Sequence, residues 1–100
     1  MNNFGKLICK YRLSNELPLR VVAAHIDIDQ AILSKFEHGT RKPTREQVVK
    51  LAEFFKVNPD ELLVAWLADK VIYALDGESE LSKRALQVAE NSVDTQPQPY

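Results

Sequence analysis

Apolar side chains in this chain recur at spacings of three and four, and few residues interrupt them: three glycines and five prolines are spread over 100 residues. A period near 3.6 lines such side chains along one side of a helix, whereas a half-buried strand would alternate every second residue. The spacing therefore predicts helix almost throughout, and the breakers set the lengths. Pro18, Gly39, Pro43, Pro59 and Gly77 divide the chain into short segments. The expected fold is all-α, built from several short helices.

Taken in order, a first helix is expected over 3–14, with Phe4, Leu7, Ile8 and Tyr11 on one side. A second starts at Pro18, a residue suited to a first helical turn, and runs to His25. Val21, Val22 and Ala24 cluster too closely for a surface helix, so this one is expected to be mostly buried. Asp29 is the expected N-cap of a third helix, 30–37, whose inward residues are Ile32, Leu33 and Phe36 and whose end is Gly39. Thr44 caps a fourth helix to Phe55, and Gln47 three residues on completes a capping box. Asn58 and Pro59 open a long fifth helix, 59–75, broken at Gly77. A sixth, 79–91, carries Leu81, Ala85, Val88 and Ala89 on one side. The last residues, DTQPQPY, lack periodicity, and a loose tail is expected over 92–100, which includes them.

A hydrophobic share of 45% with 27% charged residues is enough for one compact core. A chain this size buries roughly 60–70% of its unfolded surface, so a partner would add to a modest stability. No apolar run reaches the ~20 residues of a membrane span, and the start has no secretory signal, so a cytoplasmic protein is expected. One cysteine, Cys9, excludes an internal disulfide. His25 and His38 have no third ligand candidate, and no catalytic grouping stands out. We expect no cofactor, no metal and no enzyme activity. The net charge of −1 hides an asymmetry. Residues 1–50 carry nine Lys/Arg against five Asp/Glu, and residues 51–100 four against nine. A basic half suggests a polyanionic partner.

Two short helices joined by a tight turn, the second with a small polar face, form a helix-turn-helix arrangement. Residues 17–43, LPLRVVAAHIDIDQAILSKFEHGTRKP, resemble the helix-turn-helix of the phage-repressor family (the lambda repressor and Cro group, also called Xre-like). That family's pattern runs roughly L-T-Q-x-x-L-A-x-x-x-G-I-S-x-x-x-I-S-x-x-E-x-G-x-x-x-P. Leu17, Val22, Ala23, Ile28, Leu33, Ser34, Glu37, Gly39 and Pro43 match it. The resemblance implies a five-helix DNA-binding domain over 1–68, a helical extension over 69–91 and the tail beyond. It also implies an ion pair between Arg12 and Glu37 that locks the first helix to the third.

By the same resemblance, the third helix enters the major groove of double-stranded DNA. Gln30, Ala31, Ser34 and Lys35 would then face base edges. Gln30 can pair with adenine, Lys35 can reach guanine, and Ala31 can lie on a thymine methyl. Arg20, Thr40, Arg41, Lys42 and Arg45 would touch phosphate, which fixes register without reading sequence. Two departures stand out. The family's Thr-Gln at the start of the second helix is Pro18-Leu19 here, which removes a cap and a phosphate contact. Asp27 replaces the family's glycine at a position that favours a left-handed backbone, which Asp tolerates.

Leu63, Trp66, Leu67, Val71, Ile72 and Leu75 make the fifth helix apolar over more than half its circumference, and the sixth adds another stripe. One domain of this kind leaves that surface uncovered, so these residues are expected to form a homodimer interface. A two-fold dimer would place two third helices about one DNA turn apart on a palindrome. The leading expectation is a transcriptional regulator of repressor or controller type. The alternative is an interaction protein, such as an antitoxin, whose C-terminal helices bind another protein.

Overall fold

The computed structural model describes residues 2–95 of the chain; the expected tail beyond 95 lies outside the described residues. Six helices follow one another: α1 Asn3–Ser14, α2 Leu19–His25, α3 Gln30–His38, α4 Arg45–Phe55, α5 Pro59–Ala74 and α6 Ser82–Thr95. Among the described residues there is no strand, and no helix is long and apolar enough to cross a membrane.

The caps explain most of these limits. Asn2 accepts the Gly5 N–H at the start of α1. Thr44 and Gln47 form the expected capping box on α4: the Gln47 N–H donates to Thr44 Oγ1 at 3.2 Å, and Gln47 Oε1 accepts from the Thr44 N–H at 2.9 Å. Asn58 caps α5 through the Asp60 N–H, ahead of a first-turn proline. Several limits differ from expectation. Pro18 is the extended N-cap of α2, with ψ 157, rather than its first helical residue. The sixth helix starts three residues later than the spacing predicts, because Glu78 O accepts both the Leu81 and Ser82 N–H in a preceding turn. It also runs four residues further, to Thr95, into the stretch expected to be loose.

A core of thirteen buried apolar residues, drawn from α1 to α5 and the turn between α2 and α3, joins the first five helices. Phe36, Ile8, Leu33, Leu51 and Leu62 are its largest fully buried side chains. α1 packs chiefly on α5 and α3, α4 on α5, and α2 on α3. Within α2, Val22 and Ala23 are buried but Ala24 is exposed, so that helix is half-buried rather than mostly buried. Leu63 and Trp66 also belong to this core, each 8% exposed. They are therefore not free for the dimer contact expected of them. Leu67, Val71 and Ile72 remain exposed and Leu75 half-buried. α5 runs unbroken through residue 68, where the extension was expected to begin.

α6 differs from the rest. It packs on no other helix to a comparable extent, and from Lys83 to Asp94 every residue is exposed. The Cα radius of gyration is 15.6 Å, against about 13 Å for a compact chain of this length, as expected when one helix stands away from the core.

Candidate nucleic-acid interface

α3 begins where the turn after α2 forces a reversal. Asp27 adopts φ 56, the left-handed conformation. The Ile28 N–H then closes back on Ala23 O at 3.1 Å. Asp29 stands at the N-cap position, extended at φ −68 and ψ 147, but its side chain makes no capping hydrogen bond, contrary to expectation. Its backbone serves instead: Asp29 O accepts from the Ile32 and Leu33 N–H at 3.0 and 3.1 Å. What its carboxylate still supplies is negative charge beside the positive end of the helix.

At the other end, Gly39 turns left-handed at φ 78. The Thr40 N–H donates to Lys35 O at 3.0 Å and the Gly39 N–H to Phe36 O at 3.3 Å, the two bonds of a Schellman ending. Thr40 Oγ1 also leans on Lys35 O at 3.4 Å. Between these ends Leu33 and Phe36 are buried, Gln30, Ala31 and Lys35 are exposed, and Ser34 is half-buried. The His38 ring nitrogen Nδ1 lies 2.7 Å from Ser34 O and 3.4 Å from its hydroxyl, which puts an imidazole on this polar side. The sequence reading missed His38, although its i,i+4 spacing from Ser34 was visible.

α1 clamps the same helix. Arg12 Nε donates to Glu37 Oε2 at 2.7 Å and its Nη2 to Oε1 at 3.0 Å, a two-pronged pair with side chains 14% and 7% exposed. A third Arg12 nitrogen, Nη1, donates to Leu17 O at 3.0 Å, so one guanidinium fixes both α3 and the turn that leads into α2. Hydrogen bonding to Glu37 raises the Arg12 pKa above its ordinary value, and the charge is permanent. The Asn2 amide donates to Glu37 O. Gly5 lets the backbones approach there, because a Cβ would strike Asn2 and the Glu37 carbonyl. Asp69 of α5 caps α1 from outside, accepting the Asn3 and Phe4 N–H at 2.9 Å each.

Arg20 in α2, Thr40, Arg41 and Lys42 in the loop after α3, and Arg45 at the start of α4 are all exposed. The loop is pinned at Pro43, which is buried and whose carbonyl accepts the Trp66 indole N–H at 3.0 Å. Lys42 lies 3.7 Å over the Tyr73 ring and Lys70 lies 3.6 Å over the Trp66 ring. Arg41, Lys42 and Lys70 border one small cavity between this loop, Asn2 and α5. Lys70 is thus a cation that sequence reasoning did not assign to this surface. Cys9 lies beside the Arg12–Glu37 pair, half-buried, with burial pushing its thiol pKa up and leaving it a poor nucleophile. Among the described residues no group of three or more His, Cys, Asp or Glu could hold a metal ion.

A short helix pair, the second member locked in place with its polar side outward and a basic loop following it, defines a helix-turn-helix fold. The helix-turn-helix family model matches residues 10–62, more than half of the chain, and the chain belongs to that family. Its structure is similar to the crystal structure of the clp gene regulator ClgR from Corynebacterium glutamicum. The match has a TM-score of 0.60 at 15% identity and covers 97% of this chain and 94% of that one. At that identity the likeness is one of fold. No curated protein matches the chain.

Proposed function

We propose that this chain is a sequence-specific transcriptional regulator that reads double-stranded DNA in the major groove with α3. The single observation that carries the reading is the division of α3. Its inward side is held by Leu33, Phe36 and the Arg12–Glu37 pair, while Gln30, Ala31 and Lys35 stand free. A rigid helix with an unused polar side is what base readout needs. Gln30, Ala31, Ser34 and Lys35 meet base edges in this reading, with His38 added at the far end. Arg20, Arg41, Lys42, Arg45 and Lys70 meet phosphate. Thr40 is near them, although its backbone and hydroxyl already serve the end of α3.

Two copies related by a two-fold axis would read a palindrome with half-sites about one turn apart. With a single family domain filling more than half the chain, we favour a repressor or controller whose binding alone blocks or guides a promoter. Selection of bound duplexes from a random pool, at stated salt, tests this. A palindromic motif is the expected result, and a folded protein that enriches no sequence would overturn it.

The exposed length of α6 favours a second reading, in which a different protein covers that helix and DNA binding serves the complex. It predicts that the purified chain alone stays monomeric.

A further inference from the structure

We infer that the cavity between the 39–43 loop, Asn2 and α5 binds a small carboxylic acid. Its carboxylate sits among Arg41, Lys42 and Lys70, and its apolar body lies on the rings behind them. The effector role that follows rests on the DNA-binding reading; the binding itself does not.

The first support is unmet charge. Arg41, Lys42 and Lys70 border the cavity, and none of them forms an ion pair among the described residues. The carboxylate on the lining, Asp69, is already engaged. Its Oδ1 accepts the Asn3 N–H and side-chain amide at 2.9 and 3.0 Å, and its Oδ2 accepts the Phe4 N–H at 2.9 Å. That places its charge against the positive end of α1. Asn2 and Trp66 are committed too. The Asn2 amide donates to Glu37 O and accepts the Gly5 N–H, and the indole donates to Pro43 O. What the cavity still offers a ligand is positive charge.

The two lysines are also held in position. Lys42 Nζ lies 3.7 Å over the Tyr73 ring and Lys70 Nζ 3.6 Å over the Trp66 ring. A ring face attracts an ammonium group without the oxygen acceptors of a carboxylate, so N–H donors stay available. Less side-chain freedom is then lost when an anion arrives.

The wall decides what kind of anion fits. Phe4, Phe36, Pro43 and Trp66 line the cavity and are all buried. A phosphate turned toward them would leave oxygens without donors, which is costly. A carboxylate instead carries an apolar body to place there. The cavity measures about 80 Å³, against roughly 150 Å³ for a site that holds benzene, so the body is short, of about four carbons. Bound there, the acid uses positive charge that DNA phosphate would otherwise meet, and so competes with DNA.

The test titrates the full chain, without DNA, with sodium isovalerate against sodium chloride of equal ionic strength, followed by amide NMR. Isovalerate is expected to bind saturably with a dissociation constant of about 1 mM, shifting the 39–43 amides and the Trp66 indole N–H. Isovaleramide has the same shape without the charge, and inorganic phosphate has charge without the body. Each is expected to bind at least about tenfold more weakly. Arg41→Gln and Lys70→Gln alter exposed side chains, and each is expected to weaken isovalerate about tenfold. In a second arm, saturating isovalerate should lower the affinity for a selected duplex and reduce its salt slope by about one. Absence of saturable isovalerate shifts would overturn the proposal, as would equal binding of isovaleramide or indifference to both substitutions. Phosphate bound more tightly than isovalerate would also overturn it, and would leave the three cations to the DNA backbone. Isovalerate that binds the chain but leaves duplex affinity unchanged would overturn the effector role.

Discussion

α3 and α6 are both short helices with one apolar side, and they meet opposite fates. α3 buries Leu33 and Phe36 at 1% and 2% exposure and is tied near its C-terminal end, at Glu37, to Asn2 and to Arg12 of α1. α6 carries an apolar stripe of similar breadth and buries none of it. Amphipathicity alone therefore does not decide docking within a chain. α3 has α1 and α2 beside it, linked by turns of few residues. α6 is separated from α5 by a seven-residue link around Gly77, which turns left-handed at φ 83 with open space around it. The charged partners differ too: Glu37 finds Arg12 inside the chain, whereas Lys83, Arg84, Glu90 and Asp94 find no ion pair among the described residues.

That contrast can be broken at several points. The largest effect is expected from Glu37→Gln, which leaves the Arg12 guanidinium buried with a weakened partner. Stability should fall by about 3 kcal/mol in urea unfolding, since removing one member of a buried pair strands the other charge. Gly5→Ala comes next: the added methyl meets Asn2 and the Glu37 carbonyl, so α1 must shift off the end of α3, at about 2 kcal/mol by overpacking. Trp66→Phe removes the N–H bound to the buried Pro43 carbonyl, and about 1.5 kcal/mol should be lost together with the order of the 40–43 loop, read by amide exchange.

The smallest effects should come from the edges. Tyr11 donates to Glu61, and this hydrogen bond raises its pKa above the ordinary 10.0. A raised folded pKa means the contribution is complete below pH 10 and is lost as pH climbs through the folded value. Tyr11→Phe should therefore remove an alkaline component of the stability curve and little else. On the other side of the comparison, Leu86→Ser should leave unfolding unchanged within about 0.5 kcal/mol at concentrations where the chain is monomeric, since Leu86 touches no core. A large loss there would show that α6 docks on its own chain after all.

Much of this was legible in the sequence because it is local. The capping box at Thr44 and Gln47, the proline after Asn58, the helix-ending Gly39 and the inward trio of α3 all follow from neighbours within four residues, whereas the left-handed Asp27 is implied by the resemblance to the phage-repressor family, which has glycine there. The Arg12–Glu37 pair was reached through resemblance to the phage-repressor family, since its members are 25 residues apart. What escaped has no local signal. Asp69 capping α1 spans more than sixty residues, and the Trp66 bond to Pro43 spans twenty-three. In the sequence Trp66 and Leu63 read as interface residues because an apolar side chain looks the same whether a core or a partner covers it. Asp29 shows the reverse error: it is a favourable residue at an N-cap, yet its backbone does the work and its carboxylate stays free.

The measurement that bears most directly on the central claim is base preference and salt dependence on a selected duplex, compared among wild type, Gln30→Ala, Lys35→Ala and Arg41→Ala. If α3 reads bases, Gln30→Ala and Lys35→Ala each relax the preference at one position of each half-site, by about 1–3 kcal/mol. Arg41→Ala should weaken all sequences alike and lower the salt slope by about one. If all three variants keep the wild-type preference and slope, α3 is not the reading helix, and the account of this surface is wrong.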